Sequence, residues 1–209
     1  VEEPQRGLDL RLALDVRLQR VAEAQLAGLA GACVALDPRT GDVLAFASAP
    51  GYDPNDFVPR LDPARYRRLA DDPAKPLLNR ASGGAYAPGS TFKPLTALAG
   101  LSVGYPPGAT YPCDGVYARS GLRLRCASRW GHGELDLQHA LMKSCNPYFC
   151  NLATEIGTNA LLRTARAFGL GAKTGLDLGV DMAGVVPDAD WKARQYHERW
   201  FFGDLVQMS

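Results

Sequence analysis

A proline–glycine turn that opens an apolar helix is the feature of this sequence that most constrains how the chain folds. The turn lies in Ala87-Pro88-Gly89-Ser90-Thr91-Phe92-Lys93-Pro94, and a mainly apolar run continues to Val103. Pro94 falls in the first turn, where its missing N–H group costs little, so the pattern predicts a helix from about Ser90 to Val103. The predicted buried side of this helix consists of Phe92, Leu95, Leu98, Ala99 and Leu101.

Ser90 and Lys93 form a candidate nucleophile and base at the start of this helix. Residues three apart are neighbours on a helix surface, so both side chains project from one face. A hydroxyl is a poor nucleophile until a base takes its proton, and burial can lower the pKa of a lysine enough for it to act as that base. Unpaired N–H groups at the helix N-terminus favour developing negative charge. The arrangement therefore suits acyl transfer through a serine ester.

Ser144-Cys145-Asn146 is a second candidate motif, placed 54 residues after Ser90 and at a predicted break between two helices. The Ser144 hydroxyl could relay a proton to a leaving amine, and the Asn146 carboxamide could hold a substrate peptide group. The alternative interpretation is that one of these residues caps a helix and has no catalytic role.

The rest of the chain alternates helical patterns with one strand pair. An apolar run, a turn and a second apolar run predict a β-hairpin whose strands, 31–36 and 42–48, are covered on both faces. Residues 50–63 predict a surface loop, and residues 105–133 predict an irregular excursion from the core. Cys33 and Cys150 are predicted to be small buried hydrophobes. Further helices are predicted at 15–29 with Asp15 as N-cap, 64–70, 136–143, 148–156 and 160–168, the last capped by Thr158 and stopped by Gly169.

Composition restricts the functional classes. The chain has 209 residues, 46% of them hydrophobic, which is enough for one large core, and its net charge of +1 argues against a nucleic-acid partner. No apolar run is long enough to span a bilayer, and residues 1–4 are neither a signal peptide nor an anchor. Five cysteines are an odd count, which argues against a fully paired disulfide framework.

Three cysteines and a histidine form a candidate metal set. Cys113, Cys126, His132 and Cys145 are separated by 13, 6 and 13 positions. Four such ligands make a closed tetrahedral zinc site, and the irregular excursion is a segment that a structural metal could hold together. Two alternatives remain open: a disulfide between Cys113 and Cys126, or unpaired thiols.

Several stretches resemble the class B penicillin-binding proteins of the elongation type, the penicillin-binding protein 2 group. The resemblance rests on Ala87–Pro94, Gly131-His132-Gly133, residues 144–149 and Asp37-Pro38-Arg39-Thr40-Gly41-Asp42-Val43-Leu44-Ala45, and it covers nearly the whole chain. It implies an α/β (α+β) transpeptidase fold shared with serine β-lactamases, with helices on a mainly antiparallel sheet. Members of the family carry Asp or Cys at positions of the metal set. Cys145 lies inside the second motif, so a bound metal would brace Ser144 and Asn146.

The resemblance also implies an activity. Ser90 would attack the D-Ala-D-Ala end of a peptidoglycan stem peptide, with Lys93 as base, Ser144 as proton relay and Asn146 as substrate ligand, and β-lactams would acylate Ser90. It implies a location on the periplasmic face of the inner membrane and a membrane glycosyltransferase of the elongation machinery as partner. A serine β-lactamase, or a non-catalytic β-lactam sensor or cell-wall scaffold, is the alternative.

The third motif of the family is expected elsewhere. Lys173-Thr174-Gly175 matches Lys-Thr-Gly letter for letter, but it lies only 29 residues after Ser144 and follows no convincing strand. We interpret it as a loop, of the form Gly-x-x-Thr-Gly-x-Asp-Leu that the family has before Gly184-Val185-Val186-Pro187. Residues 1–209 are then a partial transpeptidase domain, with the catalytic Lys-Thr-Gly, the membrane anchor and the pedestal domain outside this chain.

Overall fold

The computed structural model describes residue 7 and residues 9–58, 60 and 62–207. Residues 1–4, positions 59 and 61 of the predicted loop and the last two residues lie outside this set. The helices are α1 (Val16–Gln25), α2 (Pro63–Asp71), α3 (Lys93–Ser102), α4 (Leu137–Met142), α5 (Asn146–Ala167), α6 (Ala189–Tyr196) and α7 (Phe202–Gln207), with 3-10 turns at Pro54–Phe57 and Gly89–Phe92. The strands are β1 (Gly31–Leu36), β2 (Val43–Ala49), β3 (Tyr111–Cys113), β4 (Val116–Arg119), β5 (Leu122–Arg125) and β6 (Gly133–Leu135). Contacts divide the chain into two compact units, one formed by residues up to 85 with 176–182, the other by 86–175 with 183–209.

In the first unit, α1 packs on the hairpin of β1 and β2. Asp15 caps α1 as predicted, since its carboxylate accepts the N–H groups of Arg17 and Leu18. Gln19 joins helix to strand, because its carboxamide accepts from the Phe46 N–H at 2.7 Å and donates to the Phe46 carbonyl at 3.1 Å. The α1 helix ends at Gln25, four residues before the predicted end. The small core of this unit contains Ala22, Ala45 and Ala47, with Leu26 and Ala35 against it.

The prediction that both hairpin faces are covered is wrong for β1. Most of its side chains are exposed, including Val34 at 44% and Leu36 at 55%, and Cys33 is exposed rather than buried. The sheet has only two strands, and α1 is the helix that packs on it. One helix covers one face of a sheet, so the other face stays open to solvent. Helix α2, predicted as 64–70, is present and exposed along nearly its whole length.

In the second unit, α3 packs along α5, and this contact determines which residues of α3 are buried. The buried face of α3 is made of Lys93, Thr96, Ala97, Ala99 and Gly100. The predicted positions Leu98 and Leu101 are instead 43% and 44% exposed. A Cβ at Gly100 would lie 3.0 Å from Leu152 Cδ1. Small residues let the two helix backbones approach closely, so they form the contact and the larger leucines lie outside it.

The predicted excursion contains four strands too short to show a periodicity. Antiparallel β3 pairs with β6, and antiparallel β4 pairs with β5. Gly131 allows the chain to cross itself here, because it has φ +82° and a Cβ at this position would overlap the Cys113 carbonyl. The Cys113 carbonyl accepts the His132 N–H at 2.8 Å, and the Gly115 carbonyl accepts the Cys126 N–H at 2.9 Å. Crossings of this kind bring distant cysteines together.

The break within α5 and the loop around Lys173-Thr174-Gly175 occur where the sequence predicts them. Helix α5 loses helical geometry at Gly157 (φ 75°, ψ 168°), which separates the two predicted helices at 148–156 and 160–168. Lys173-Thr174-Gly175 lies in an irregular loop, as expected, and not on a strand. Three antiparallel strand pairs with helices agree with the predicted α+β class. Among the described residues, no helix combines the length and apolar character that a bilayer crossing demands.

Candidate active site

Lys93 is the centre of the candidate site. Its ammonium group is buried, with the residue only 4% exposed, and it lies against the turn between α4 and α5. The Nζ atom is 2.7 Å from the Ser144 carbonyl oxygen, 3.1 Å from Ser144 Oγ and 2.6 Å from Asn146 Oδ1. The tertiary fold therefore joins the two predicted motifs directly through one lysine.

The protonation state of Lys93 follows from these partners. Burial lowers its pKa from the usual 10.5, and nearby cysteines oppose that effect. The Ser144 carbonyl and Asn146 Oδ1 can only accept, whereas the Ser144 hydroxyl can donate or accept. An ammonium group can donate to all three oxygens, and a neutral amine keeps the same contacts if the Ser144 hydroxyl donates to its lone pair. Burial favours the neutral form, in which Lys93 can act as a base.

Ser144 has an unusual backbone conformation that aims its carbonyl at Lys93. Its φ is +49°, in the left-handed region that favours glycine. The Ser144 N–H donates to the Leu141 carbonyl and the Cys145 N–H to the Ala140 carbonyl, at 3.1 and 3.0 Å. This is the Schellman pattern that ends α4, with serine at the position normally taken by glycine.

Two neighbouring helices show what is ordinary at that position. Helix α3 ends with Gly104 (φ +84°) and α5 with Gly169 (φ +81°), each in the same pair of hydrogen bonds. Of these three helix ends, only that of α4, which contacts Lys93, has a residue other than glycine at this position. Non-glycine residues in this conformation cost about 1–2 kcal/mol and occur preferentially at functional sites. The replacement supplies a hydroxyl at a cost in local strain.

Asn146 is held at both ends of its carboxamide. Its Oδ1 accepts from Lys93, and its Nδ2 donates to the Arg125 carbonyl at 2.8 Å. Sequence reasoning missed Arg125, because a backbone carbonyl leaves no mark in a sequence. It also missed Phe149, whose ring centroid lies 5.7 Å from Lys93 Nζ. The aromatic face attracts a cation and so partly opposes the desolvation of the lysine.

Ser90 lies just before α3 and remains exposed. It follows Gly89 (φ +56°) in the 3-10 turn that leads into α3. In the described part of the chain, Lys93 makes its side-chain hydrogen bonds with Ser144 and Asn146 rather than with Ser90. Catalytic hydrogen bonds are often long before substrate binds, so this separation does not remove Ser90 as nucleophile. The structure places exposed Ser90 in the 3-10 turn before α3 and Lys93 at the start of α3, whereas Ser144 lies between α4 and α5 and Asn146 begins α5.

The predicted metal ligands converge next to this site. The ligand atoms of Cys113, Cys126, His132 and Cys145 all lie within 4.8 Å of one another, and the three cysteines are buried. The Nδ1 atom of His132 is 3.6 Å from both the Cys113 and the Cys126 Sγ. Tetrahedral zinc with usual bond lengths requires sulfur–nitrogen separations of about 3.6 Å and sulfur–sulfur separations of about 3.8 Å. The donor set therefore fits zinc in number and chemistry, and the two sulfur–nitrogen separations of His132 fit the spacing.

The ionisation of the thiols differs within the cluster. Burial raises the pKa of the Cys145 thiol to about 12. Burial also acts to raise the pKa of Cys126, but hydrogen bonds from the Asn146 and Ser128 N–H groups and contacts with the other thiols outweigh it and lower the pKa. Metal binding requires thiolates, so Cys126 is the thiol best prepared to be a ligand. The described cysteines form no disulfide.

Comparisons with known proteins identify the family of this chain. Residues 31–206 match the family model described as the penicillin binding protein transpeptidase domain. The Acinetobacter baumannii peptidoglycan D,D-transpeptidase MrdA is 41% identical over 211 residues, which cover 100% of this chain and 31% of the relative. The chain therefore spans about a third of the length of that curated relative.

Solved structures give the same result. Pseudomonas aeruginosa penicillin-binding protein 2, in complex with WCK 5153, has a TM-score of 0.87 at 39% identity, covering 93% of this chain and 45% of that one. The penicillin G acyl-enzyme of Mycobacterium tuberculosis penicillin-binding protein A has a TM-score of 0.72 at 33% identity, covering 84% and 44%. The family match spans most of the chain, and these relatives share its fold. The chain belongs to the penicillin-binding protein transpeptidase domain family.

Proposed function

We propose that the protein containing this chain is a serine-type peptidoglycan D,D-transpeptidase that cross-links stem peptides during cell elongation. The observation that carries the proposal is the set of hydrogen bonds from one buried lysine to both Ser144 and Asn146. One relative is named peptidoglycan D,D-transpeptidase, and the solved structure of another is a penicillin G acyl-enzyme complex. The chain spans about a third of that curated relative, so the proposed activity is that of the whole protein.

The first half of the reaction forms an acyl-enzyme. Ser90 Oγ attacks the carbonyl carbon of the penultimate D-Ala as its proton passes to neutral Lys93. The tetrahedral centre then collapses, the peptide C–N bond breaks, and the terminal D-Ala leaves after its amine receives a proton. The Ser144 hydroxyl, 3.1 Å from Lys93 Nζ, is placed to relay that proton from the lysine.

The second half reverses these roles. An amine from a neighbouring strand gives up a proton through Ser144 to Lys93, attacks the ester carbonyl and releases Ser90 with its proton restored. Asn146 keeps the lysine oriented through Oδ1, and its Nδ2 is fixed by the Arg125 carbonyl. β-Lactams would intercept the reaction at Ser90, because they acylate the same hydroxyl.

A catalytic Lys-Thr-Gly is expected in the remainder of the longer protein. Lys173-Thr174-Gly175 is not that element under this proposal, since it occupies a loop. Ser90 and Lys93 would then form one side of the site and Ser144 and Asn146 a second, with the third supplied from outside residues 1–209. We expect the isolated chain to be inactive for this reason.

We also propose that Cys113, Cys126, His132 and Cys145 hold a structural zinc ion. The spacing of their ligand atoms supports this assignment. Bound zinc would cross-link the irregular segment to the α5 N-terminus and contribute to folding free energy, without taking part in acyl transfer. Metal analysis of the purified protein tests the proposal: about one zinc per chain is expected, and a metal-free, correctly folded protein would reject it.

The expected location is the periplasmic face of the inner membrane. The expected macromolecular partner is a membrane glycosyltransferase, which would supply the glycan strands to be cross-linked. Both expectations come from the resemblance of the sequence to the elongation-type penicillin-binding proteins. Copurification of the full-length protein with a glycosyltransferase from solubilised membranes would test the partnership.

Labelled penicillin provides the test of the reaction class. We expect a long-lived adduct on Ser90 in the full-length protein, and none in a Ser90→Ala variant. Rapid hydrolysis of the label would instead indicate a β-lactamase, and no adduct would indicate a scaffold. Formation of cross-linked product from a lipid-linked precursor then separates a transpeptidase from a β-lactam sensor, since a sensor forms the adduct but no product.

A further inference from the structure

Three of the four ligands of the candidate zinc site are thiols, which can be oxidised. Cys113, Cys126 and Cys145 have their sulfur atoms within 4.8 Å of each other. Carboxylates also bind zinc and cannot be oxidised to disulfides. Three neighbouring thiols therefore add a chemical property, redox sensitivity, beyond metal binding.

The three thiols are not equivalent in access or in freedom to move. Cys126 is 8% exposed, Cys113 is 3% and Cys145 is 0%. Cys145 is held between two helices, since its N–H donates to the Ala140 carbonyl and its carbonyl accepts the Phe149 N–H. Cys113 ends a strand of three residues and Cys126 follows a strand of four. These two can approach each other with the least disruption of regular structure.

We propose that Cys113 and Cys126 form a reversible disulfide when the protein meets a disulfide oxidant, and that this oxidation abolishes zinc binding and slows acylation of Ser90. The inference rests on the zinc set proposed above. It differs from a permanent structural disulfide, because the reduced cluster is the metal-binding form. Extracytoplasmic compartments hold such oxidants, so the expected location supplies the conditions.

The chemistry is thiol–disulfide exchange with a disulfide RSSR as the oxidant. The Cys126 thiolate attacks one sulfur of RSSR, which forms Cys126–S–SR and expels RS⁻. The Cys113 thiolate then attacks Cys126 Sγ, which forms the Cys113–Cys126 bond and expels the second RS⁻. The two cysteines lose two electrons, and RSSR gains them. Only His132 and Cys145 then remain as ligands, too few for a closed tetrahedral site.

The disulfide would reach the catalytic residues through one backbone group. Its two sulfur atoms must move from a separation of up to 4.8 Å to a bond of about 2.05 Å, and under this proposal part of the movement is taken up by the backbone at Cys126. The preceding carbonyl, that of Arg125, accepts the 2.8 Å hydrogen bond from Asn146 Nδ2. Asn146 in turn orients Lys93. Oxidation at Cys126 therefore loosens the carboxamide that positions the base.

The experiment uses the full-length protein, purified reduced and zinc-loaded, with exposed Cys33 replaced (Cys33→Ser) so that it cannot react. Oxidised glutathione is added, and zinc release is followed with a chromogenic chelator. We expect about one zinc per chain to be released together with a mass loss of about 2 Da and a Cys113–Cys126 cross-linked peptide. Penicillin acylation should fall at least about tenfold. Dithiothreitol and added zinc should restore it.

The matched control is Cys113→Asp with Cys126→Asp in the same background. It keeps four candidate zinc ligands but has no thiol pair in the segment, so less than about a tenth of its zinc should be released under the same treatment. Zinc that stays bound in the oxidised protein, or a disulfide that involves Cys145, overturns the inference. Zinc release with unchanged acylation overturns the coupling to Asn146. A reduced protein without zinc rejects the metal site itself and leaves the acylation test of the proposed function intact.

Discussion

The conformation of Ser144 allows its strain to be separated from its chemistry. Ser144→Ala and Ser144→Gly both remove the hydroxyl that lies 3.1 Å from Lys93 Nζ, and both keep the carbonyl that lies 2.7 Å from it. Only glycine adopts the φ of +49° without a steric cost. The pair therefore differs in backbone strain alone.

The expected magnitudes follow from that difference. Glycine relieves about 1–2 kcal/mol of left-handed strain and loses about 0.5–1 kcal/mol to greater freedom in the unfolded chain. Ser144→Gly should therefore be at least as stable as Ser144→Ala, by up to about 1.5 kcal/mol. Loss of the proton relay should slow acylation by about 10²–10⁴-fold in both variants. Urea unfolding and the rate of labelled-penicillin binding, each in the full-length protein, measure the two effects.

A third variant, Gly169→Ala, provides the control. Gly169 occupies the same Schellman position at the end of α5, with φ +81°. Alanine there should cost about 1 kcal/mol of stability and leave acylation unchanged. The reasoning is refuted if Ser144→Gly acylates at the normal rate while Ser144→Ala does not, because the backbone and not the hydroxyl would then be responsible. A Ser144→Ala variant that is more stable than Ser144→Gly would refute the strain argument.

Three further predictions concern Lys93, the cysteine cluster and the α3–α5 contact. The acylation rate should increase with pH to a midpoint below 10.5, and a midpoint at or above 10.5 would contradict Lys93 as base. Lys93→Arg should slow acylation at least about 10²-fold at every pH, because the arginine side chain does not deprotonate. Since the folded state binds fewer protons than the unfolded state between the lowered pKa and 10.5, Lys93 should also make stability rise with pH in that window. Gly131→Ala should abolish zinc binding, because its Cβ would overlap the Cys113 carbonyl. Gly121→Ala, with φ +79° and open space around it, should keep the metal and lower the free energy of unfolding by about 1 kcal/mol. Metal content after dialysis checks both variants. Gly100→Leu should destabilise by about 1–3 kcal/mol through overpacking against Leu152, whereas Leu98→Ala, at an exposed site, should stay within about 0.5 kcal/mol in the same urea assay.

Local features were predictable from the sequence because their causes are local. Asp15 caps α1, Asp136 caps α4, and Gly157 separates the two parts of α5. Each depends on hydrogen bonds or backbone freedom within a few residues. The same holds for Lys173-Thr174-Gly175, whose surroundings lack a strand pattern and whose structure is a loop. The predicted metal set also converged, because residue chemistry restricts which four side chains can share a zinc ion.

Burial, by contrast, could be misjudged from periodicity. Leu98 and Leu101 fit the helical period as well as Ala97 and Gly100 do, yet the latter two contact α5. A period identifies a stripe of apolar residues but not the neighbour that approaches it. Cys33 shows the same limit, since a two-stranded sheet with one helix leaves a face exposed that the strand pattern assigns to a core.

The sequence by itself determined the chemistry available to this protein: Ser90, Lys93, Ser144, Asn146 and a set of thiolate and imidazole ligands. Only the tertiary structure decided their relations. Lys93 contacts Ser144 across 51 positions because α3 packs against α5, and Asn146 is fixed by a carbonyl of β5. The left-handed Ser144 results from the way α4 ends against α5, which no four-residue pattern encodes. The sequence specifies the types of side chain, whereas packing, which balances burial against backbone strain, sets the distances between groups remote in the sequence.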